Sequence, residues 1–416
     1  MIDITAIWGQ WLRPSAGLPT VQWSLLLALA AAAGHLVQRH MAMPKVVGYS
    51  AVGVLAGWAG FGGVVWPLEG IGLFLLELGV SIVLFETGGR IALRWFRHNP
   101  MVLLQSLLEA ACTYAAVYFA LRWFEVRPAV ADALALVAIV SSPSVLSRVV
   151  ADTRGAGPVT ERALALSTLG ALYALTLVAG RVGTLQREET TLTDLLLPVL
   201  VVLSISVLVA GIMSLVLRLA LHVMSPNSEN TSVLLITTIA AGTTVASHLG
   251  GSAPLAALLA GVLLKQVHAR PWVLARQLGG VSSVLVMLTF VLVAVVAVQG
   301  EWDPALATVV IALVTARGLA KVLGVLLANP GSGTRWGQAV LTGCAMAPMS
   351  SLGLLLVSRF AEASMTLGPR IAAIALPAIL LMQVLGAIVA TYVVHQARES
   401  SRVDAAAAAP GGAPGA

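Results

Sequence analysis

Runs of about twenty apolar residues, holding hardly a charged side chain, follow one another through almost the whole chain. The hydrocarbon layer of a bilayer is about 30 Å thick and takes about 20 helical residues to cross, so these runs have the length of membrane-spanning helices. Composition removes the water-soluble alternative: 10% of the residues are charged and 58% hydrophobic, whereas soluble domains carry about 25% charged side chains.

A window of about 19 residues places spans near residues 20–38, 44–62, 70–89, 99–121, 130–150, 160–180, 194–221, 231–248, 252–268, 277–299, 304–327, 337–358 and 370–394. The expected fold class is therefore an all-α polytopic membrane protein of about thirteen transmembrane helices. Residues 1–19 lack the basic start and small-residue cleavage site of a signal peptide and read as an N-terminal extracytoplasmic segment. Residues 20–395 form the membrane domain. Residues 396–416, ending in Ala, Gly and Pro, read as a disordered cytoplasmic tail. Sorted over alternate loops, fifteen Lys and Arg fall on one side and seven on the other, with Arg317 and Lys321 left inside a span. The richer side is expected to be cytoplasmic, which sets the N-terminus outside and the C-terminus inside, in the cell's inner (plasma) membrane.

The formal charge of +6 comes from singly scattered residues and offers no basic stripe for nucleic acid. Cys112 and Cys344 lie within apolar stretches and read as packing residues rather than a disulfide framework. The seven histidines show no metal-ligand spacing, and no cofactor motif is present.

Spans five and twelve differ from the rest. Each carries a proline and a polar cluster at the depth of the membrane midplane: Ser141-Ser142-Pro143-Ser144 and Ala347-Pro348-Met349-Ser350-Ser351. A broken helix survives in a bilayer only where protein or an aqueous cavity satisfies the freed backbone. Two such breaks seven spans apart, in opposite-facing halves, point to inverted repeats whose half-helices meet at a midplane binding site. Two separate proline kinks are the alternative.

The chain resembles the monovalent cation/proton antiporter superfamily, especially its glutathione-gated potassium efflux branch, over residues 40–395. The resemblance is carried by Met43-Pro44-Lys45-Val46-Val47-Gly48-Tyr49 with Gly53 and Gly57, and by Leu75-Leu76-Glu77-Leu78-Gly79-Val80 followed by Leu84-Phe85-Glu86-Thr87-Gly88. Gly250 to Leu255, Leu259 to Leu264, and Gly343 to Gly353 around Ala347-Pro348 complete it. It implies a core domain with crossed broken helices, a dimerisation domain, a homodimer, and alternating access by rigid-body movement. It also implies membrane-buried aspartates on the span after the first break. Here that span reads Ala163 to Ala174 without a carboxylate, and Ser, Thr and Tyr cannot hold negative charge near neutral pH.

Charged groups inside spans are functional candidates by default: Glu77, Glu86, Glu109, Arg317 and Lys321. Glu86 reads as a proton carrier or as half of a surface pair with Arg90, four residues on. Glu109 reads as a proton carrier or as a protonated, hydrogen-bonded group. Lys321-Val322-Leu323-Gly324 resembles the family's lysine near the broken helices, which either exchanges a proton or caps their carbonyl ends. The expected site is thus Ser141, Ser142, Pro143, Ser144, Ser167, Thr168, Tyr173, Lys321, Pro348, Ser350 and Ser351, with Glu86, Glu109 and Lys321 as proton carriers. The expected function is exchange of Na+ or K+ for H+. The alternatives are a divergent carrier of an anion or neutral solute, favoured by a net positive Lys321 and Arg317 with no aspartate, or a non-transporting partner subunit. A membrane hydrolase lacks support, since HExxH and GxSxG are absent.

Overall fold

The computed structural model describes residues 21–59, 66, 68, 70–185, 192–224, 229–267, 278–298, 300 and 303–400. The expected N-terminal segment 1–19 and residues 401–416 of the expected tail lie outside these described residues. Sixteen helices make up the described chain: α1 Val21–Met41, α2 Lys45–Trp58, α3 Gly70–Gly88, α4 Leu93–His98, α5 Pro100–Trp123, α6 Pro128–Ile139, α7 Pro143–Thr153, α8 Pro158–Val182, α9 Leu192–Val223, α10 Glu229–His248, α11 Ala253–Val267, α12 Leu278–Val298, α13 Pro304–Leu327, α14 Trp336–Ala345, α15 Ser351–Ala363 and α16 Gly368–Gln396. Among the described residues seven segments are long and apolar enough to cross a membrane, and one of them joins α6 and α7 into Pro128–Thr153. Proline stands in the first turn of α5, α6, α7, α8 and α16, where its fixed φ suits a helix start and its missing N–H removes a donor that would have no helical partner.

Small residues bring helices close enough for their backbones to touch, the usual basis of helix association in lipid. α13 is held this way on two sides. A Cβ at Gly324 would lie 2.9 Å from the backbone N of Glu109 on α5, and a Cβ at Gly343 on α14 would lie 2.6 Å from Cα of Val322. This clamping matters because α13 carries Arg317 and Lys321.

The chain stays packed beyond α16 through residues 397–400, which belong to the expected tail. Glu399 accepts the backbone N–H groups of Val159 (2.8 Å) and Thr160 (2.9 Å) and the Thr160 hydroxyl (2.5 Å) at the start of α8. Ala156 N donates to the Glu399 carbonyl at 2.9 Å, and Ser400 Oγ donates to Thr153 O at 3.1 Å. The first amides of a helix need acceptors, and Gly157, which precedes α8, has no side chain to supply one. A carboxylate from the far end of the chain does so, a contact that composition could not reveal.

Gly324→Ala is expected to destabilise the protein by about 1–3 kcal/mol, because the methyl group overpacks the α5–α13 contact. Gly318→Ala on the same helix meets open space and is expected to be neutral or to gain up to about 1 kcal/mol of helix propensity. Thermal unfolding of the two variants in detergent checks the contrast.

Candidate functional site

Both expected breaks are present. α6 stops at Ile139 and α7 begins at Pro143, while α14 stops at Ala345 and α15 begins at Ser351. Proline drives the residue before it out of the helical region, and Ser142 is extended, with φ −79° and ψ 101°. The breaks meet: Ser142 N donates to Pro348 O at 2.8 Å, and the hydroxyls of Ser144 and Ser351 stand 3.5 Å apart. Ser142 Oγ lies 2.8 Å from Ser144 Oγ and accepts Val145 N at 3.4 Å, capping α7.

Breaking a helix leaves carbonyls without amide partners, and two cations of α13 take them. Arg317 donates from Nε to Ala138 O (3.0 Å), from Nη1 to Ala347 O (2.5 Å), and from Nη2 to Val140 O (2.6 Å) and Pro348 O (3.4 Å). One guanidinium fork thereby joins both breaks. Lys321 Nζ donates to Ile139 O at 2.8 Å and pairs with Glu109 of α5. Arg317, Lys321 and Glu109 are each 0% exposed.

Glu109 is unevenly satisfied. Its Oε1 accepts from Lys321 and from Thr113 Oγ1, the latter at 3.0 Å, while its buried Oε2 has no protein partner. The buried hydroxyls of Ser141 and Ser167 are likewise without partners among the described residues. Ser167 lies one turn before Gly170, where a Cβ would sit 3.5 Å from Ile139 O, the carbonyl that Lys321 holds. Glu109, Ser141 and Ser167 thus border one crossing.

The other expected residues divide. Pro143 opens α7 at the first break and Pro348 lies within the second. Thr168 bonds back to Leu164 O at 2.7 Å on its own helix. Tyr173 Oη meets Ser106 Oγ at 2.8 Å, one turn of α5 from Glu109. Ser350 donates to Gln383 Oε1 at 2.6 Å; Gln383 Nε2 in turn donates to Ser50 Oγ at 2.6 Å and to Phe290 O at 3.2 Å. Sequence reasoning missed Gln383, an amide in the apolar middle of α16. Glu86 is not brought to the crossing and pairs with exposed Arg90 at 2.8 Å. Glu77 pairs with Arg359 of α15. Cys112 and Cys344 are free and partly buried. Lys321, expected as an isolated buried cation, is balanced by Glu109, 212 residues away in sequence, and the case for an anion site resting on a net positive Lys321 and Arg317 loses one of its two charges.

The family described as sodium/hydrogen exchanger, transmembrane, matches residues 24–396. The chain belongs to that family. The resemblance to the cation/proton antiporters is borne out, and the exchanger is a multi-pass helical membrane protein. Its fold is similar to that of the sodium proton antiporter MjNhaP1 from Methanocaldococcus jannaschii. The structure at pH 8 gives TM-score 0.66 at 12% identity, covering 94% of this chain and 99% of that one. The electron-microscopy structure gives TM-score 0.68 at 12% identity, covering 100% of both chains. No curated protein matches the sequence. Among the described residues, Glu109 on α5 is a fully buried carboxylate, while Ala163 to Ala174 of α8 has none.

Removing one partner of a buried ion pair leaves the other charge uncompensated, at about 3–5 kcal/mol. Glu109→Gln and Lys321→Gln are each expected to lower stability on that scale, and the double variant to lose less than the sum. Arg335→Gln, an exposed loop change, is expected to stay within about 0.5 kcal/mol of the parent. Unfolding of the four variants in detergent provides the cycle.

Proposed function

We propose that the protein exchanges a monovalent cation, Na+ or K+, for protons across the bilayer, with the Glu109–Lys321 pair as the exchanging element. The observation that carries this reading is the fully buried pair, placed at the crossing of two broken helices with Glu109 Oε2 still unpartnered. Glu109 Oε2 and the hydroxyls of Ser141 and Ser167 offer a hard cation the oxygen ligands it prefers. A cation on Glu109 takes the counter-charge from Lys321, and a dry cavity does not hold an unpaired ammonium, so the lysine gives up its proton. Return of the proton restores the ion pair and expels the cation. Arg317 stays charged throughout, because four carbonyls hold it and arginine does not titrate in proteins.

The wider architecture belongs to the same proposal: thirteen spans in inverted repeats, α6–α7 and α14–α15 as the fifth and twelfth, and a core that moves against dimerisation helices within a homodimer. The excess of basic residues on one set of loops supports a cytoplasmic C-terminus and a location in the plasma membrane.

In proteoliposomes with an imposed pH gradient, addition of Na+ or K+ is expected to collapse the gradient with the parent protein and not with Glu109→Gln. Lys321→Gln is expected to lose the proton movement while the cation still protects Glu109 from carboxyl-directed reagents. If folded, inserted protein moves no protons with Na+, K+ or Li+, proton–cation exchange is wrong; collapse by chloride would favour the divergent carrier.

A further inference from the structure

The half-helices that follow the two breaks echo each other in sequence. α7 contains Ser147-Arg148-Val149-Val150-Ala151-Asp152, and α15 contains Ser358-Arg359-Phe360-Ala361-Glu362. In each the arginine pairs with the acid one turn later, Arg148 with Asp152 at 3.6 Å and Arg359 with Glu362 at 3.6 Å. Each cluster also reaches across to unbroken helices. Arg148 donates to Tyr49 Oη of α2 at 3.4 Å and to Ser283 Oγ of α12 at 3.3 Å, and Asp152 takes Lys45 Nζ of α2 at 3.8 Å. Arg359 takes Glu77 of α3.

The clusters flank the buried pair from opposite faces. Arg148 lies five residues beyond Pro143 and Arg359 eight beyond Ser351, about 8 and 12 Å along helices that rise about 1.5 Å per residue. α16 begins beside α15, where a Cβ at Gly368 would lie 2.6 Å from Cα of Ala361. The chain leaving α16 reaches the end of α7, where Ser400 Oγ bonds Thr153 O at 3.1 Å. The 29 residues between span about 43 Å, more than the hydrocarbon layer of about 30 Å. Between the clusters sits Gln383, which joins the second break to Ser50 of α2 and the Phe290 carbonyl of α12.

A carrier that swaps two ions at one site must open to one face at a time. Both clusters are closed in this structure, and Glu109 and Lys321 have no exposed surface. The arginine side chains are 20% and 38% exposed and their acids Asp152 and Glu77 8% and 14%, so both clusters lie at the margin of the protein interior, where an ion pair is remade at less cost than a fully buried one. We propose that the two clusters are reciprocal latches. Arg359–Glu77 shuts the path on the α15 face, and the contacts of Arg148 with Tyr49 and of Asp152 with Lys45 shut it on the α7 face. The Gln383 junction is the pivot between them. The proposal builds on the exchange reading above, and its test requires no ion flux.

With Cys112→Ser and Cys344→Ser as background, Ser141→Cys is the single reporter, labelled by a membrane-impermeant thiosulfonate applied to one face or the other of oriented vesicles. Glu77→Gln or Arg359→Gln is expected to speed labelling several-fold from the α15 face and slow it from the α7 face; Asp152→Asn or Arg148→Gln is expected to do the reverse. Glu77→Arg combined with Arg359→Glu is expected to return parental rates, which separates a latch from a misfolded variant. Unchanged labelling in both sets, faster labelling from both faces in one variant, or failure of the charge exchange to restore the rates overturns the latches. Reciprocal labelling without cation-driven proton movement would remove the exchange reading and leave the latches standing; exchange without reciprocal labelling would do the opposite.

Discussion

Everything at the centre of this protein depends on how broken backbone is satisfied where water is scarce. Two interrupted helices present the carbonyls of Ala138, Ile139, Val140, Ala347 and Pro348 to the protein interior, and Arg317 and Lys321 accept the task of bonding all of them. The carbonyl ends of helices carry partial negative charge, so cations belong there on electrostatic grounds as well. Guanidinium suits the role that bridges both breaks because its planar fork reaches several acceptors at once. The ammonium, one turn further along α13, holds a single carbonyl and is free to hold a carboxylate too.

That division of labour separates structure from chemistry. Arg317 is saturated by backbone and has little to exchange. Lys321 shares its charge between Ile139 O and Glu109, and Glu109 keeps one oxygen unengaged. The glycine contact at 324 sets α13 and α5 at the separation that lets the two side chains meet, so a packing feature lies beneath an electrostatic one. A family trait expected on α8 is absent, yet a carboxylate reaches the crossing from a neighbouring helix.

Much of this was legible in the sequence, and the reason lies in which signals are local. Proline next to serine marks a break at Ser142-Pro143 and at Ala347-Pro348 because the constraint acts between adjacent residues. Apolar run length marks helices because bilayer thickness is fixed. Lys321 and Glu109 were each recognisable as buried charges, but their pairing depends on which faces of α5 and α13 meet. Gln383 gave no signal, since an amide amid apolar residues looks the same whether it faces lipid or a buried network. The cap supplied by Glu399 was hidden for a similar reason: nothing near that residue in sequence hints at the helix start it serves.

That cap has a consequence for the order of assembly. Val159 and Glu399 are 240 residues apart, and ribosomes add about 5–20 residues per second, so α8 spends on the order of ten to fifty seconds in the growing chain before its acceptor exists. During that interval its first amides rest at the membrane surface, where water can solvate them. Residues made 240 positions later therefore fasten the helix that carries Ser167, and the crossing takes its final register only after they have been added.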